Sequence, residues 1–139
     1  MSPLTSRTAN RLLWTAQILA ALIFLFAGSM KFIMSPEKMQ QGPVVLPLGF
    51  IYFIGVCECL GALGLILPAA TRVRPGLTPL AAAGLTIIMI GAVVVSIRGM
   101  GVSAGIFPAV VGIITAFIAY GRTRIAPIAE APRGVTRVA

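Results

Sequence analysis

Long apolar runs, separated by short clusters of proline, glycine and charged residues, give this chain its pattern. Four runs stand out: Leu12–Ile33, Leu48–Leu67, Leu77–Ile97 and Ala104–Tyr120. Each approaches the ~20 helical residues needed to cross a ~30 Å hydrocarbon core. Apolar side chains surround each predicted helix on all sides, the mark of a membrane span and not of an amphipathic surface helix. Pro36, Gly42-Pro43 and Pro47 follow the first run, and Pro68 is expected to close the second. Pro75-Gly76 precedes the third run, Gly99 and Gly101 separate it from the fourth, and Pro108 falls in the first turns of the fourth. Proline suits helix starts and the residues just past helix ends, because it has no N–H to donate. The predicted fold class is therefore all-α, an integral membrane four-helix bundle spanning residues 12–121. An N-terminal tail at 1–11 and a mobile C-terminal tail at 122–139 flank it.

Composition sharpens this picture. Of 139 residues, 58% are hydrophobic and only 10% charged, against about 25% charged in soluble domains. A soluble core of this length could not hide so much apolar surface. The net charge is +8, but the basic residues lie between and beyond the apolar runs. No basic stripe interleaved with aromatics is present, so no nucleic-acid partner is expected. The expected partner is the lipid bilayer, with a homo-oligomer or a partner membrane protein compatible with the sequence.

Four spans put both termini and the second connection on one side. That side carries Arg7, Arg11, Arg72, Arg74, Arg122, Arg124, Arg133 and Arg137, while the other carries Lys38 and Arg98, with Lys31 at its boundary. The positive-inside rule then predicts a multi-pass cell-membrane protein with both termini cytoplasmic. The first run could be taken for a signal peptide with Arg7 and Arg11 as its charged leader and Ala27-Gly28-Ser29 as a cleavage site. Its apolar length of about 20 residues exceeds the usual 7–15, so an uncleaved helix is expected.

Glu58 is the chemical anomaly. It lies near the centre of the second run, where an ionisable group costs roughly 2.5–3.5 kcal/mol on insertion scales. Gly55, Gly61, Ala62 and Gly64 surround it, and small residues let membrane helices approach closely. The carboxylate should therefore face another helix. On the first helix, Gln17, Ala20, Ala21, Phe24, Ala27, Gly28 and Lys31 share one face at spacings of three and four. Lys31 is the natural counter-charge. Their depths differ, since Glu58 sits roughly 15 Å into its span whereas Lys31 is near a boundary. A lysine stem bending inward, or a second helix starting nearer Tyr52, would close the gap. The candidate ligand-binding or proton-relay residues are Lys31, Glu58, Gln17 and Tyr52, with Gly28, Gly55, Gly61 and Ala62 packing around them.

Histidine and aspartate are absent, which removes the commonest haem ligand, metal ligand and general base. No metal is expected, and no catalytic residue can be named. Cys57 and Cys59 point about 200° apart on a helix, so they read as packing residues and not as a redox pair. Ser29, Thr86, Ser96 and Thr115 could extend a polar network, although a membrane Ser or Thr usually bonds its own backbone.

Two segments carry a family resemblance. Ala27-Gly28-Ser29-Met30-Lys31-Phe32 resembles the Gly-x-x-Lys signature of the DoxX-like family, and Gly55-Val56-Cys57-Glu58-Cys59-Leu60-Gly61 resembles its Gly-x-x-Glu signature. Together with the order of spans, the resemblance covers roughly residues 12–121. It implies a small four-helix membrane bundle with Lys31 and Glu58 as its polar centre. Members are associated with thiosulfate:quinone oxidoreductase or with membrane complexes that handle oxidative and thiol stress, and a distant animal branch acts as a receptor-assembly chaperone. Many relatives place a histidine late in the third helix, where this chain reads Val95-Ser96-Ile97.

Two functions remain open on this reading. One is a quinone- or thiol-linked redox accessory subunit, with quinone as cofactor, Glu58 relaying protons and Lys31 stabilising an anionic state. No flavin, nucleotide, haem or iron–sulfur fingerprint is present, so its electrons would come from a partner protein. The other is a non-enzymatic module that binds a small lipophilic ligand or scaffolds a partner, in which the ion pair only pins helix register. A small exporter is a weaker third, since few polar positions could line a path.

Overall fold

A computed structural model describes residues 3–134. The outermost parts of both predicted tails, residues 1–2 and 135–139 with Arg137, lie outside the described residues. The order is α1 (Pro3–Ile33), a single turn α2 (Pro36–Met39), α3 (Leu48–Thr71), α4 (Leu77–Met100) and α5 (Ile106–Tyr120). A 3-10 turn, Val102–Gly105, leads into α5, and a π-helical turn, Gly121–Ile125, extends it. Among the described residues, four helices are long and apolar enough to cross a membrane. The protein is an all-α membrane bundle.

Three boundaries differ most from the hydropathy reading, while the third span runs only three residues past Ile97, to Met100. The first helix begins at Pro3, well before Leu12, because residues 3–11 are polar but compatible with a helix. Hydropathy locates the hydrocarbon-spanning part of a helix, not its ends. Pro68 does not close the second span. It lies inside α3, which continues through a buried Ala69 to Thr71. Proline there removes one backbone bond, to the Gly64 carbonyl, and membrane helices tolerate such a loss when neighbouring turns are intact. The helix instead ends where Arg72 takes a left-handed conformation, φ +58°. At the same end of the bundle, the fourth span runs on through Ile125, past Tyr120.

Neighbouring helices run antiparallel. Along the α1–α3 seam, Gly28 meets Gly55 and Cys59, and Gln17 meets Leu65, so one helix ascends as the other descends. Leu85 and Ala81 of α4 pack on Gly61 and Gly64 of α3, and Met89 packs on Gly112 of α5. Gly101 makes the tight α4–α5 connection with φ +91°, a conformation that a side chain would strain. Leu13 against Gly121 closes α5 onto α1 at the end that carries the termini.

The core is thin: Leu13, Ala20, Phe24, Leu65, Leu85, Val111 and Ile118 are buried almost completely. Outside it, Phe26 is 69% exposed, Ile87 71% and Ile113 70%. In water this much bare apolar surface would drive aggregation; in a bilayer it faces lipid.

Candidate functional site

Glu58 belongs to the buried stripe of α3, with Gly55, Ala62, Leu65 and Ala69 at helical spacing. The stripe faces α1. The pairing is tight because Gly28 lacks a side chain: a Cβ there would stand 2.7 Å from Cys59 Sγ and 2.9 Å from the Gly55 carbonyl oxygen. This contact fixes the register of the two helices. Lys31, three residues further on, comes opposite the turn of α3 that precedes Glu58.

Side-chain direction then closes the gap in depth. Helical side chains tilt toward the N-terminus of their own helix. In an antiparallel pair, Lys31 therefore leans toward the bundle centre while Glu58 leans toward the end where α1 finishes. They meet with Lys31 Nζ 2.6 Å from Glu58 Oε2. Lys31 Nζ also donates to the Ala27 carbonyl at 3.4 Å, which shows the stem folded back along its own helix. The inward-bending lysine is thus the arrangement found; α3 begins at Leu48 and not nearer Tyr52.

The pair is unequal in exposure. Glu58's side chain is 4% exposed and Lys31's 27%. An ammonium has three donors, and Glu58 and Ala27 engage two of them. On the carboxylate only Oε2 is engaged by a described residue. The centre therefore keeps one donor and one acceptor oxygen for a third party.

The other sequence candidates divide. Gly55 packs beneath the ring of Phe32, which in turn stacks on Tyr52 with centroids 5.8 Å apart. Tyr52 thus stands by the pair through its ring, with no described hydrogen bond to it. Ala62 is buried one turn from Glu58, while Gly61 turns away to meet Leu85 of α4. Cys59 faces Gly28 and Cys57 lines a groove between α3 and α4, so the two thiols are free and diverge. Thr86 and Thr115 bond each other across α4 and α5 at 2.9 Å, and each also bonds its own helix backbone.

Gln17 is not at the ion pair. It lies about 21 Å along α1 from Lys31, fully buried, and builds a second polar node. Its Nε2 donates to the Leu65 carbonyl, and its Oε1 accepts from Arg122 Nε at 2.6 Å. Arg122 Nη1 donates to Asn10 Oδ1 at 2.7 Å and to the Ala126 carbonyl at 3.1 Å. The guanidinium also lies 5.4 Å from the Trp14 ring centroid. The node ties α1, α3 and the end of α5 together.

Sequence reasoning did not single out Arg122 or Asn10. By sequence Arg122 groups with the positive-inside arginines of the tail, yet it is 3% exposed and inside the bundle. The signal was available in the helical phase: Val111, Thr115, Ile118 and Arg122 fall at spacings of four, three and four, and all are buried.

Among the described residues no three of His, Cys, Asp or Glu gather to hold a metal ion. An antiparallel four-helix membrane bundle, with one Lys–Glu pair embedded between its first two spans, is the class of protein defined here. The model of the DoxX-like family matches residues 15–118, which include both members of that pair, and the chain belongs to that family. No curated protein and no solved structure matches it.

Proposed function

We propose that the Lys31–Glu58 pair is the binding and proton-exchange centre for a small lipophilic ligand of the quinone class, in a redox accessory subunit whose electrons come from a partner protein. The supporting observation is the pair's incomplete satisfaction: a buried carboxylate and a partly exposed ammonium 2.6 Å apart, with a donor and an acceptor to spare. A structural ion pair of this depth is favoured by closing all its hydrogen bonds internally. An apolar cleft of about 270 Å³ opens along the same α1–α3 seam, lined by Ala21, Leu25, Ala62 and Ile66 among others. It offers a lodging for an isoprenoid-like tail one turn from Glu58.

In this reading Lys31 donates a hydrogen bond to a ligand oxygen and stabilises negative charge there. The Glu58 carboxylate takes up a proton from the aqueous side that Lys31 approaches and passes it to the same group, ending again as the carboxylate. Two electrons from the partner's redox centre and two protons complete the reduction of a quinone to a quinol. The Lys/Arg asymmetry supports an orientation with the termini in the cytoplasm, which puts the Lys31 end of the bundle outside.

A second reading, a non-enzymatic module for a lipophilic ligand or partner protein, is favoured by one observation: the cavity at the α1–α3 seam is wholly apolar and does not include Lys31 or Glu58 in its lining. Native mass spectrometry of the purified protein separates the two. Co-purifying quinone that is lost in Glu58→Gln, with the helical circular-dichroism signal unchanged, is the expected result. Retention of a different lipid, equal in wild type and Glu58→Gln, favours the module.

A further inference from the structure

The second polar node raises a question of charge that the first does not. Arg122 is a buried cation whose three described hydrogen-bond partners, Gln17, Asn10 and the Ala126 carbonyl, are all neutral. Its Nη2 is buried with no partner among the described residues. A buried charge with no opposite charge is costly, by several kcal/mol in low-dielectric surroundings. Of the chain's three acidic side chains, none is a described hydrogen-bond or ion-pair partner of Arg122, although Glu130 shares a neighbouring groove with Arg72. Glu58 is committed to Lys31, Glu37 lies in α2 at the other end of the bundle, and Glu130 pairs with Arg133 at 3.7 Å.

Beside Arg122 lies a cavity of about 530 Å³ whose wall includes Arg7, Asn10, Trp14, Arg72 and Ala126. Two wall residues, Asn10 and Ala126, are the ones that hold Arg122 Nη1. The wall adds two more cations and no acid. Backbone geometry keeps it in place: Arg72 ends α3 in a left-handed turn, and its carbonyl accepts the Ala131 N–H at 3.0 Å, which draws the segment after the fourth span back over the end of α3. The cavity sits where the spans end, the part of such a helix that a bilayer meets with its headgroup layer. Basic pockets between membrane helices at that level are suited to phosphate-bearing headgroups.

We infer that this cavity binds a phosphate-type oxyanion, with Arg7 and Arg72 contacting it, Asn10 donating its amide, and Arg122 supplying the fixed positive charge behind the wall. The group can arrive on an anionic phospholipid or as free phosphate, and both present the same tetrahedral, multiply hydrogen-bonding oxyanion to a guanidinium fork. The inference is independent of the Lys31–Glu58 reading.

The test uses the full-length protein in detergent. Native mass spectrometry compares retention of phosphatidylglycerol with phosphatidylcholine, and thermal unfolding is followed with inorganic phosphate against chloride at equal ionic strength. Arg7→Gln/Arg72→Gln removes two cavity cations. Arg11→Gln/Arg124→Gln removes two exposed arginines from the same end that do not line the cavity. A preference for phosphatidylglycerol of roughly tenfold, lost in the first double variant and kept in the second, supports a lipid-borne phosphate. Equal retention of the two lipids, with phosphate-specific stabilisation lost only in the first variant, supports free phosphate. Absence of both effects, or their equal loss in both double variants, overturns the proposal in favour of general surface charge.

Discussion

Gly28 is the residue on which the ion pair's geometry turns. Its missing side chain lets α1 approach α3 until backbone and Cys59 sulfur are in contact, and that approach sets where Lys31 meets Glu58. Gly28→Ala therefore has to push the helices apart, because the Gly55 carbonyl oxygen cannot rotate away as a side chain could. The expected cost is about 1–3 kcal/mol, the range for overpacking a tight contact. Thermal unfolding in detergent should show a clear drop for Gly28→Ala and little change for Gly49→Ala, where a Cβ meets nothing within 4 Å. At this scale much was legible in the sequence. Glu58 announced itself as a lone carboxylate in an apolar run, and Lys31 shares the one small-and-polar face of the first helix. Tyr52 was less so, because its aromatic ring and its hydroxyl suggest different neighbours, and the ring's stacking on Phe32 decided its place.

At the scale of elements, α1 is the organiser. It contributes Lys31 to the seam with α3, Gln17 to both α3 and the end of α5, and Asn10 and Trp14 to the enclosure of Arg122. Arg122→Leu should destabilise the bundle, since it leaves Gln17 Oε1 buried without a donor at a cost of about 1–3 kcal/mol. Arg122→Lys should recover only part of this, because one ammonium cannot reproduce the fork that bonds Gln17 and Asn10 together. A double-mutant cycle of Arg122→Leu with Gln17→Leu, read by unfolding in detergent, should show the two losses to be strongly non-additive; simple addition would mean the two side chains do not act as a unit. Helix number and order were readable from hydropathy, but helix ends were not. Residues 3–11 are too polar to register as part of a span, Pro68 mimics a terminator, and the π-helical turn begins where the apolar run stops. Each of these is decided by backbone hydrogen bonding and tertiary contact, which an apolar count does not sense.

As a whole, the molecule separates two polar centres along one membrane bundle. One, between α1 and α3, contains an acid and a base with unspent hydrogen-bonding capacity; the other, at the end carrying the termini, contains an arginine enclosed by neutral partners and flanked by further arginines. Between them lies an apolar core that faces lipid on its outer side. The proposed orientation predicts that a fluorescent-protein fusion after residue 139 is bright in the cytoplasm and that an alkaline phosphatase fusion at the same point is inactive. The opposite pattern would invert the bundle and place the arginine-rich end outside. Family membership and fold class could be anticipated from the Gly-x-x-Lys and Gly-x-x-Glu segments and the four spans. The arginine node could not be anticipated by the same means, because a charge just past an apolar run looks the same whether it faces water or turns inward.

The central claim, that the Lys31–Glu58 pair binds a ligand and does not merely pin two helices, is tested most directly by quinone titration. The thermal stability of purified wild type is measured in detergent against a short-chain ubiquinone. The same titration is run on Lys31→Met/Glu58→Gln, in which both charges are removed at nearly constant volume. The account predicts a saturable rise in unfolding temperature for wild type and none for the neutral double variant, even where the variant's own stability equals or exceeds that of wild type. An equal rise in both proteins, or no rise in wild type, would contradict it and leave the pair a structural contact.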